Sequence, residues 1–154
     1  MELARNLRTD TVACLRAAIP QIVQTDCTIA DGIKLMRQKQ VGCLLVCAGK
    51  ALAGIVTERD LLTRVFAVGR PLADPIREVM TPDPVTVTPG DPIRRALARM
   101  EKTAHSRLPI VDETGRPVGL VSVKVLVRYL AEHFAATIYN LPPDANYPQH
   151  RGGA

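Results

Sequence analysis

Gly54-Ile55-Val56-Thr57-Glu58-Arg59-Asp60, followed by Leu61-Leu62, is the stretch that decides the fold. It predicts the end of a buried strand, a tight exit and the first turn of a helix. Thr57 and Asp60 would both lie at the helix N-terminus, where N–H groups attract phosphate and a carboxylate can accept bonds from paired ligand hydroxyls. The same Thr-x-x-Asp spacing also makes a capping box, which needs no ligand. The stretch alone leaves both interpretations open.

The composition predicts one globular unit with an aliphatic core. The chain has 154 residues, of which 47% are hydrophobic, 23% charged and only 3% aromatic. Its formal net charge of +5 favours an anionic partner, either a phosphate ligand or a nucleic acid. The first residues lack the apolar segment of a signal peptide, and the longest apolar run, 41–56, is broken by Lys50 and three glycines. We therefore expect a cytoplasmic protein with no membrane partner.

The four cysteines are expected to be reduced thiols in a cytosol: Cys14, Cys27, Cys43 and Cys47. Cys43 and Cys47 fall on one predicted strand, where four residues span about 13 Å. That distance exceeds the roughly 7 Å limit between the Cα atoms of a disulfide. No disulfide and no metal site are predicted.

The pattern of elements occurs twice along the chain, and each half is predicted as β-α-β-β-α. The segment around Ile22-Val23 corresponds to Val85–Thr88, and Gly119-Leu120-Val121-Ser122 follows Gly54-Ile55-Val56-Thr57 by 65 residues. The helical and strand motifs correspond as follows: Ile29, Ile33 and Met36 with Ile93, Leu97 and Met100, and Cys43–Cys47 with Leu108–Asp112. Because a half of about 55 residues buries little surface alone, the two halves should pack together.

The predicted boundaries follow from this repeat. Residues 1–19 are predicted as an N-terminal helix, with Val12, Leu15, Ala18 and Ile19 on its apolar face and Pro20 as its stop. Residues 20–68 form the first repeat, 69–78 a linker rich in Pro and Gly, and 79–136 the second repeat. Residues 137–154 are predicted to be an extended or disordered tail.

The order of these motifs resembles a pair of CBS domains, the regulatory modules named after cystathionine β-synthase, over about residues 20 to 134. Its marks are Val79-Met80-Thr81 with Pro84–Val87, His105–Asp112, and the two Gly-x-x-(Thr/Ser) exits. The resemblance implies an α/β (α+β) fold of tandem CBS repeats packed about a pseudo-two-fold axis as a Bateman-type module, with an extra N-terminal helix. It also implies a stand-alone regulatory pair rather than an enzyme.

Family members bind adenine ligands in the clefts between their halves, so the resemblance implies bound AMP, ADP or ATP, with no cofactor required. By the same resemblance Thr57 and Asp60 bind the ribose, since one carboxylate can accept from both hydroxyls. The second exit carries Val125 where the acid belongs, so we expect one good nucleotide site rather than two.

The resemblance assigns the phosphates to His105, Arg107 and Lys124, and adenine to aliphatic residues such as Val23 and Ile55. The first repeat has Val41-Gly42 in place of His105–Arg107, so the cations lie on one side only. Each cation has an alternative role without a ligand. His105 could cap a helix, Arg107 could pair with Asp112 or Glu113, and Lys124 could be solvated, although a first helical turn disfavours a cation unless an anion is near.

Two other functions stay open. The net charge permits a nucleic-acid-associated protein, although two Phe and three Tyr offer few side chains on which bases could stack. A structural adaptor with empty clefts is the third possibility. The expected partners are an unidentified regulated protein and a second copy of the chain. The second copy is expected because two helix faces should be half exposed in a monomer: Leu61, Leu62 and Val65 on one, and Leu126, Tyr129 and Leu130 on the other.

Overall fold

The computed structural model describes residues 5, 9–103 and 106–139, and it confirms the mixed α/β fold built from two repeats. The first repeat consists of these elements: β1 Ile22–Gln24, α1 Ile29–Lys39, β2 Cys43–Ala48, β3 Ala51–Thr57 and α2 Glu58–Leu61, which continues as a π-helical turn, Leu62–Phe66. A short strand, β4 Thr81–Pro82, lies in the connection. The second repeat consists of α3 Ile93–Met100, β5 Arg107–Val111, β6 Pro117–Ser122 and α4 Val123–Tyr139.

Helix α1 shows how local sequence sets an element. The Thr28 hydroxyl accepts a hydrogen bond from the Asp31 N–H at 3.1 Å and caps the first turn. Ile29 and Met36 lie on the buried face. Gln40 adopts a left-handed conformation with φ of 53° and ends the helix.

The two halves have unequal sheets, one of four strands in the order β1-β2-β3-β4 and one of two strands, β5 and β6. In the first, β1 pairs parallel with β2, so that Val23 lies beside Val46, and β2 pairs antiparallel with β3. In the second, β5 pairs antiparallel with β6. The strand predicted over Val85–Thr88 is reduced to a single parallel bridge between Val87 and Ile110.

The segment that precedes each repeat packs on the other repeat. Val12 and Leu15, before the first repeat, belong to the core of the second. Ile76 and Val79, in the connection between α2 and α3, belong to the core of the first. The linker is therefore a structural part of the first repeat.

The predicted N-terminal helix is wrong over residues 10–19. Only a 3-10 turn forms, Val12–Cys14, and Ile19 is 85% exposed. The backbone groups of this segment bond to the second repeat instead of within a helix: Ala18 and Leu120 exchange two N–H···O bonds of 3.1 Å each. At the other end, residues 137–139 continue helix α4, while 140–154 lie outside the described residues.

The expectation of two half-exposed helix faces is wrong for most of the residues that suggested it. Leu61, Val65, Leu126 and Tyr129 are buried within one copy of the chain. Among the side chains that the structure describes on these helices, up to residue 133 in α4, the large exposed apolar ones are Leu62, Phe66, Val123 and Val127. Among the residues that the structure describes, none of the helices has the length and apolar character needed to cross a bilayer.

Candidate functional site

A cavity of about 180 Å³ lies between the two repeats. Its walls combine Ile55 from β3 with Arg107 from β5, and the remaining lining comes from the connection and from the end of α3: Thr81, Asp83, Pro84, Val85, Lys102 and Thr103. Ile55 belongs to an apolar cluster with Cys43 and Leu45, against which Leu120 of the second repeat packs. The cleft therefore has an apolar floor and two cations in its wall.

Thr57 and Asp60 form the capping box that their spacing predicts. The Asp60 Oδ2 accepts hydrogen bonds from the Thr57 N–H at 2.9 Å and from its hydroxyl at 3.1 Å. The Asp60 N–H donates to Thr57 Oγ1 at 3.3 Å. Both residues are buried, with Asp60 only 4% exposed. The box engages Oδ2, while Oδ1 faces the Arg64 Nε at 3.8 Å.

Arg64 connects this acid to the backbone of the connection. Its Nη1 donates to the carbonyl oxygens of Val79 and Met80 at 3.3 and 3.0 Å. These carbonyls come just before Thr81, which lines the cavity. Arg64 therefore links the Asp60 carboxylate to the backbone just before the wall of the cleft.

The strand geometry brings Thr57 to the same face as Ile55. Alternate residues of a strand point to the same side, and Thr57 pairs with Cys43 on β2, as Ile55 pairs with Leu45. Burial raises the pKa of the Cys43 thiol, while Arg107 nearby acts to lower it and Glu58 to raise it. Arg107 and Glu58 therefore both lie near this end of β3.

Arg107 reaches from the second repeat to the first. A Cβ placed on Gly42 would lie 2.7 Å from the Arg107 Nη2 and 3.2 Å from the Glu58 Oε1. The alternative pairing of Arg107 with Asp112 is not seen. The Asp112 Oδ1 instead accepts bonds from the Thr114 and Arg116 N–H groups at 2.9 and 3.0 Å.

The structure does not bring every predicted residue to this cleft, and Thr57 and Asp60 of the capping box are not among the residues that line it. Val23 packs with Val46 in the core on the opposite face of the sheet from Ile55. Lys124 is exposed in the first turn of α4. His105 lies outside the described residues.

Sequence reasoning missed six of the residues that line the cavity, and it also missed Ile22, which lies on the same side of the sheet as Ile55 but is not among the lining residues. Ile22 pairs with Leu45, on the cleft side of the sheet, and is 42% exposed. Strand alternation was the signal that could have selected Ile22 instead of Val23. Lys102 and Asp83 do line the cavity. No local motif marks them, because they reach the cleft through the packing of the two repeats.

The second exit has a hydroxyl cap and no carboxylate. The Ser122 Oγ accepts a hydrogen bond from the Val125 N–H at 3.3 Å. Val125 packs partly buried against the second core. Within residues 9–103 and 106–139, no group of three or more His, Cys, Asp or Glu side chains could hold a metal ion.

Comparison with known proteins identifies the same architecture. The chain is 36% identical over 110 residues to the CBS domain-containing protein CBSX3, mitochondrial, of Arabidopsis thaliana, a match that covers 68% of this chain and 53% of the relative. The chain thus spans about half the length of that relative.

Two solved structures have the same fold. A putative signal-transduction protein with CBS domains from Burkholderia ambifaria is 29% identical with a TM-score of 0.64, and the match covers 92% of this chain and 97% of that chain. The CBS domain protein PAE2072 from Pyrobaculum aerophilum, complexed with AMP, is 24% identical with a TM-score of 0.72, over 82% of this chain and 98% of that chain. The family described as CBS domain matches residues 18–67 and 76–132. The chain belongs to the CBS domain family and carries two CBS repeats.

Proposed function

We propose that this CBS pair is a regulatory module that binds one adenine nucleotide, AMP, ADP or ATP, in the cleft between its repeats and transmits binding to a partner protein. The observation that carries the proposal is the reach of Arg107 from the second repeat to Gly42 and Glu58 of the first. A cation from one repeat thereby meets the strand exit that holds Thr57 and Asp60 in the other. A ligand with both hydroxyls and a phosphate can engage both repeats at once.

The residues take separate roles in this proposal. The Asp60 carboxylate accepts from the ribose hydroxyls, and Thr57 fixes its orientation through the capping box. Arg107 binds phosphate, and His105 stays a proposed second phosphate ligand from the sequence alone, whereas Lys124 is left out because it is exposed and does not line the cavity. Adenine lies against Ile55, which forms the apolar floor of the cavity. Val23 is left out because its side chain packs on the other face of the sheet.

The size of the cavity supports a regulatory role. Its volume of about 180 Å³ is smaller than the roughly 300 Å³ from which ligand pockets usually start. We expect a nucleotide to widen the cleft, and because Ile55 and Arg107 line it from different repeats, widening would shift the repeats relative to each other. Such a ligand favours the wider arrangement, and a partner that reads the distance between repeats senses its binding. The AMP complex of PAE2072, a protein of the same fold, supports the choice of ligand.

Isothermal titration calorimetry with AMP, ADP and ATP tests the proposal, using the wild type and Asp60→Asn. The variant keeps the size of the side chain and loses its charge, so we expect affinity to fall about tenfold or more, as for a lost hydrogen bond to a charged group. Ser122→Ala, which removes the hydroxyl of the second exit, is the matched control and should bind as the wild type does. Equal affinity of Asp60→Asn and the wild type would refute the ribose assignment.

We also propose that the chain forms a homodimer through exposed apolar side chains of α4 and of α2 with its π-helical turn: Leu62, Phe66, Val123 and Val127. Leu62→Glu should convert the dimer to a monomer in multi-angle light scattering. A wild type that is monomeric at all concentrations would contradict this.

A cytoplasmic location remains a prediction, since the plant relative is named as mitochondrial. Imaging of a fluorescent fusion tests it.

The two alternative functions give different results in the same experiments. A nucleic-acid-binding protein would show salt-dependent retention of RNA or DNA in a filter assay. An adaptor with empty clefts would show no thermal shift with any adenine ligand.

A further inference from the structure

We infer that Glu58 sets the charge selectivity of the cleft, so that a nucleoside monophosphate binds more tightly than the corresponding triphosphate. This inference rests on the proposed function and specifies which ligand of that class the site prefers. Nothing in the repeat pattern assigns Glu58 a role, because it lies between the two residues of the capping box.

The geometry places Glu58 beside the phosphate-binding cation. The Arg107 Nη2 and the Glu58 Oε1 lie 2.7 and 3.2 Å from one point above Gly42, so the two atoms are separated by about 6 Å at most. Opposite charges at this range interact measurably. The Glu58 N–H also donates to the Gly42 carbonyl at 3.1 Å, which holds the start of α2 against the residue that Arg107 covers. Glu58 therefore already neutralises part of the charge that a phosphate would use.

The other charges around the cavity also limit its positive potential. Among the described lining residues, Lys102 and Arg107 carry positive charge and Asp83 carries negative charge. Glu58 is not one of these lining residues, but it lies beside Arg107, so two cations and two carboxylates lie in or beside the cleft. Each phosphate added to the ligand brings more negative charge close to Glu58, and the repulsion grows with that charge. One phosphate can share Arg107 with Glu58, whereas a chain of three meets increasing repulsion.

A purely structural role for Glu58 makes a different prediction. An acidic residue in the first turn stabilises a helix through the macrodipole. Loss of that role would lower thermal stability and leave the ratio of the AMP and ATP affinities unchanged. The affinity ratio therefore separates the two roles.

The test measures dissociation constants of adenosine, AMP and ATP for the wild type and Glu58→Gln by calorimetry. We expect adenosine to bind equally to both proteins, AMP to bind about three- to tenfold more tightly to the variant, and ATP to gain more than AMP. The gain should shrink at high salt, because the charges are partly exposed. Glu113→Gln is the matched control, since it removes the same charge from an exposed turn of the second repeat.

Arg107→Gln provides a second test. If Glu58 acts by competing for Arg107, the change at Glu58 should have a smaller effect on AMP affinity in the Arg107→Gln background. An unchanged AMP-to-ATP ratio in Glu58→Gln, or an equal gain in Glu113→Gln, would overturn the inference while leaving the proposed function intact. If neither the wild type nor Glu58→Gln binds any of the three ligands, both the inference and the proposed function fail.

Discussion

Gly54→Ala is expected to loosen the connection between the two repeats. Gly54 lies in β3 opposite Pro82 of β4, at the point where the connection crosses the first sheet. A Cβ at this position would lie 2.5 Å from the Met80 Sδ and 2.9 Å from the backbone oxygen of Thr81. The thioether can move, but the carbonyl is held by strand pairing and cannot withdraw without breaking that pairing.

The expected cost follows from this contact. Forcing one extra carbon into a well-packed position costs about 1–3 kcal/mol. For a domain of this size that corresponds to a fall in Tm of roughly 2–12 °C, measured by differential scanning calorimetry. Because Thr81 of β4 itself lines the cavity, the affinity of the variant for nucleotide should also change.

The chain offers two matched controls. At Gly119, the equivalent position of the second repeat, an added Cβ would lie 2.9 Å from the Cδ1 of Ile110, the far end of a side chain that can rotate. At Gly90 nothing lies within 4 Å. Gly54→Ala should therefore lower the Tm most, Gly119→Ala less, and Gly90→Ala least. A Gly54→Ala protein as stable as the wild type would refute the close approach of the connection.

Three further variants test the stability of individual contacts. Leu44→Ala, at a fully buried core position, should cost about 2–5 kcal/mol in urea unfolding, and a loss below 1 kcal/mol would contradict its core role. Thr57→Val should cost about 1 kcal/mol through loss of the cap, and an unchanged Tm would show that the cap contributes nothing. Burial acts to raise the pKa of Asp91, but bonds from the Thr88 N–H and from Arg95 outweigh it and lower that pKa below its usual value. Asp91→Asn should therefore lower the free energy of unfolding by about 1 kcal/mol near neutral pH. This difference should disappear as the pH falls through the lowered pKa, because a protonated Asp91 no longer contributes. A difference in urea unfolding that does not depend on pH would contradict this account.

The sequence predicted the elements that carry strong local signals. The Thr28 cap and the spacing of Ile29 and Met36 determine α1, and the apolar run from Cys43 makes β2 recognisable as a buried strand. The prediction of a helix in the N-terminal segment was wrong because contacts with distant residues, and not local signals, determine its structure. Val12 and Leu15 are spaced as on a helix, but their burial comes from contact with the second repeat, and the backbone there bonds to distant partners.

The candidate site also combines residues that local spacing predicts with residues that only long-range packing brings together. Thr57 and Asp60 are three residues apart, so their box could be derived from spacing. The placement of Arg107 over Gly42 depends on how two repeats dock, which no window of sequence contains. Val23 was chosen for its apolar character, although strand alternation assigns its neighbour Ile22 to the cleft side of the sheet.

The amino-acid sequence by itself determined the duplicated β-α-β-β-α pattern and the unequal exits, with Asp60 in one and Val125 in the other. Those features depend on contacts between residues a few positions apart, where backbone periodicity fixes the geometry. Only the tertiary structure decided that each leading segment packs on the opposite repeat, and that Glu58, Lys102 and Asp83 lie at or beside the cleft. Those contacts join residues far apart in the chain, and the packing of complementary apolar surfaces selects them.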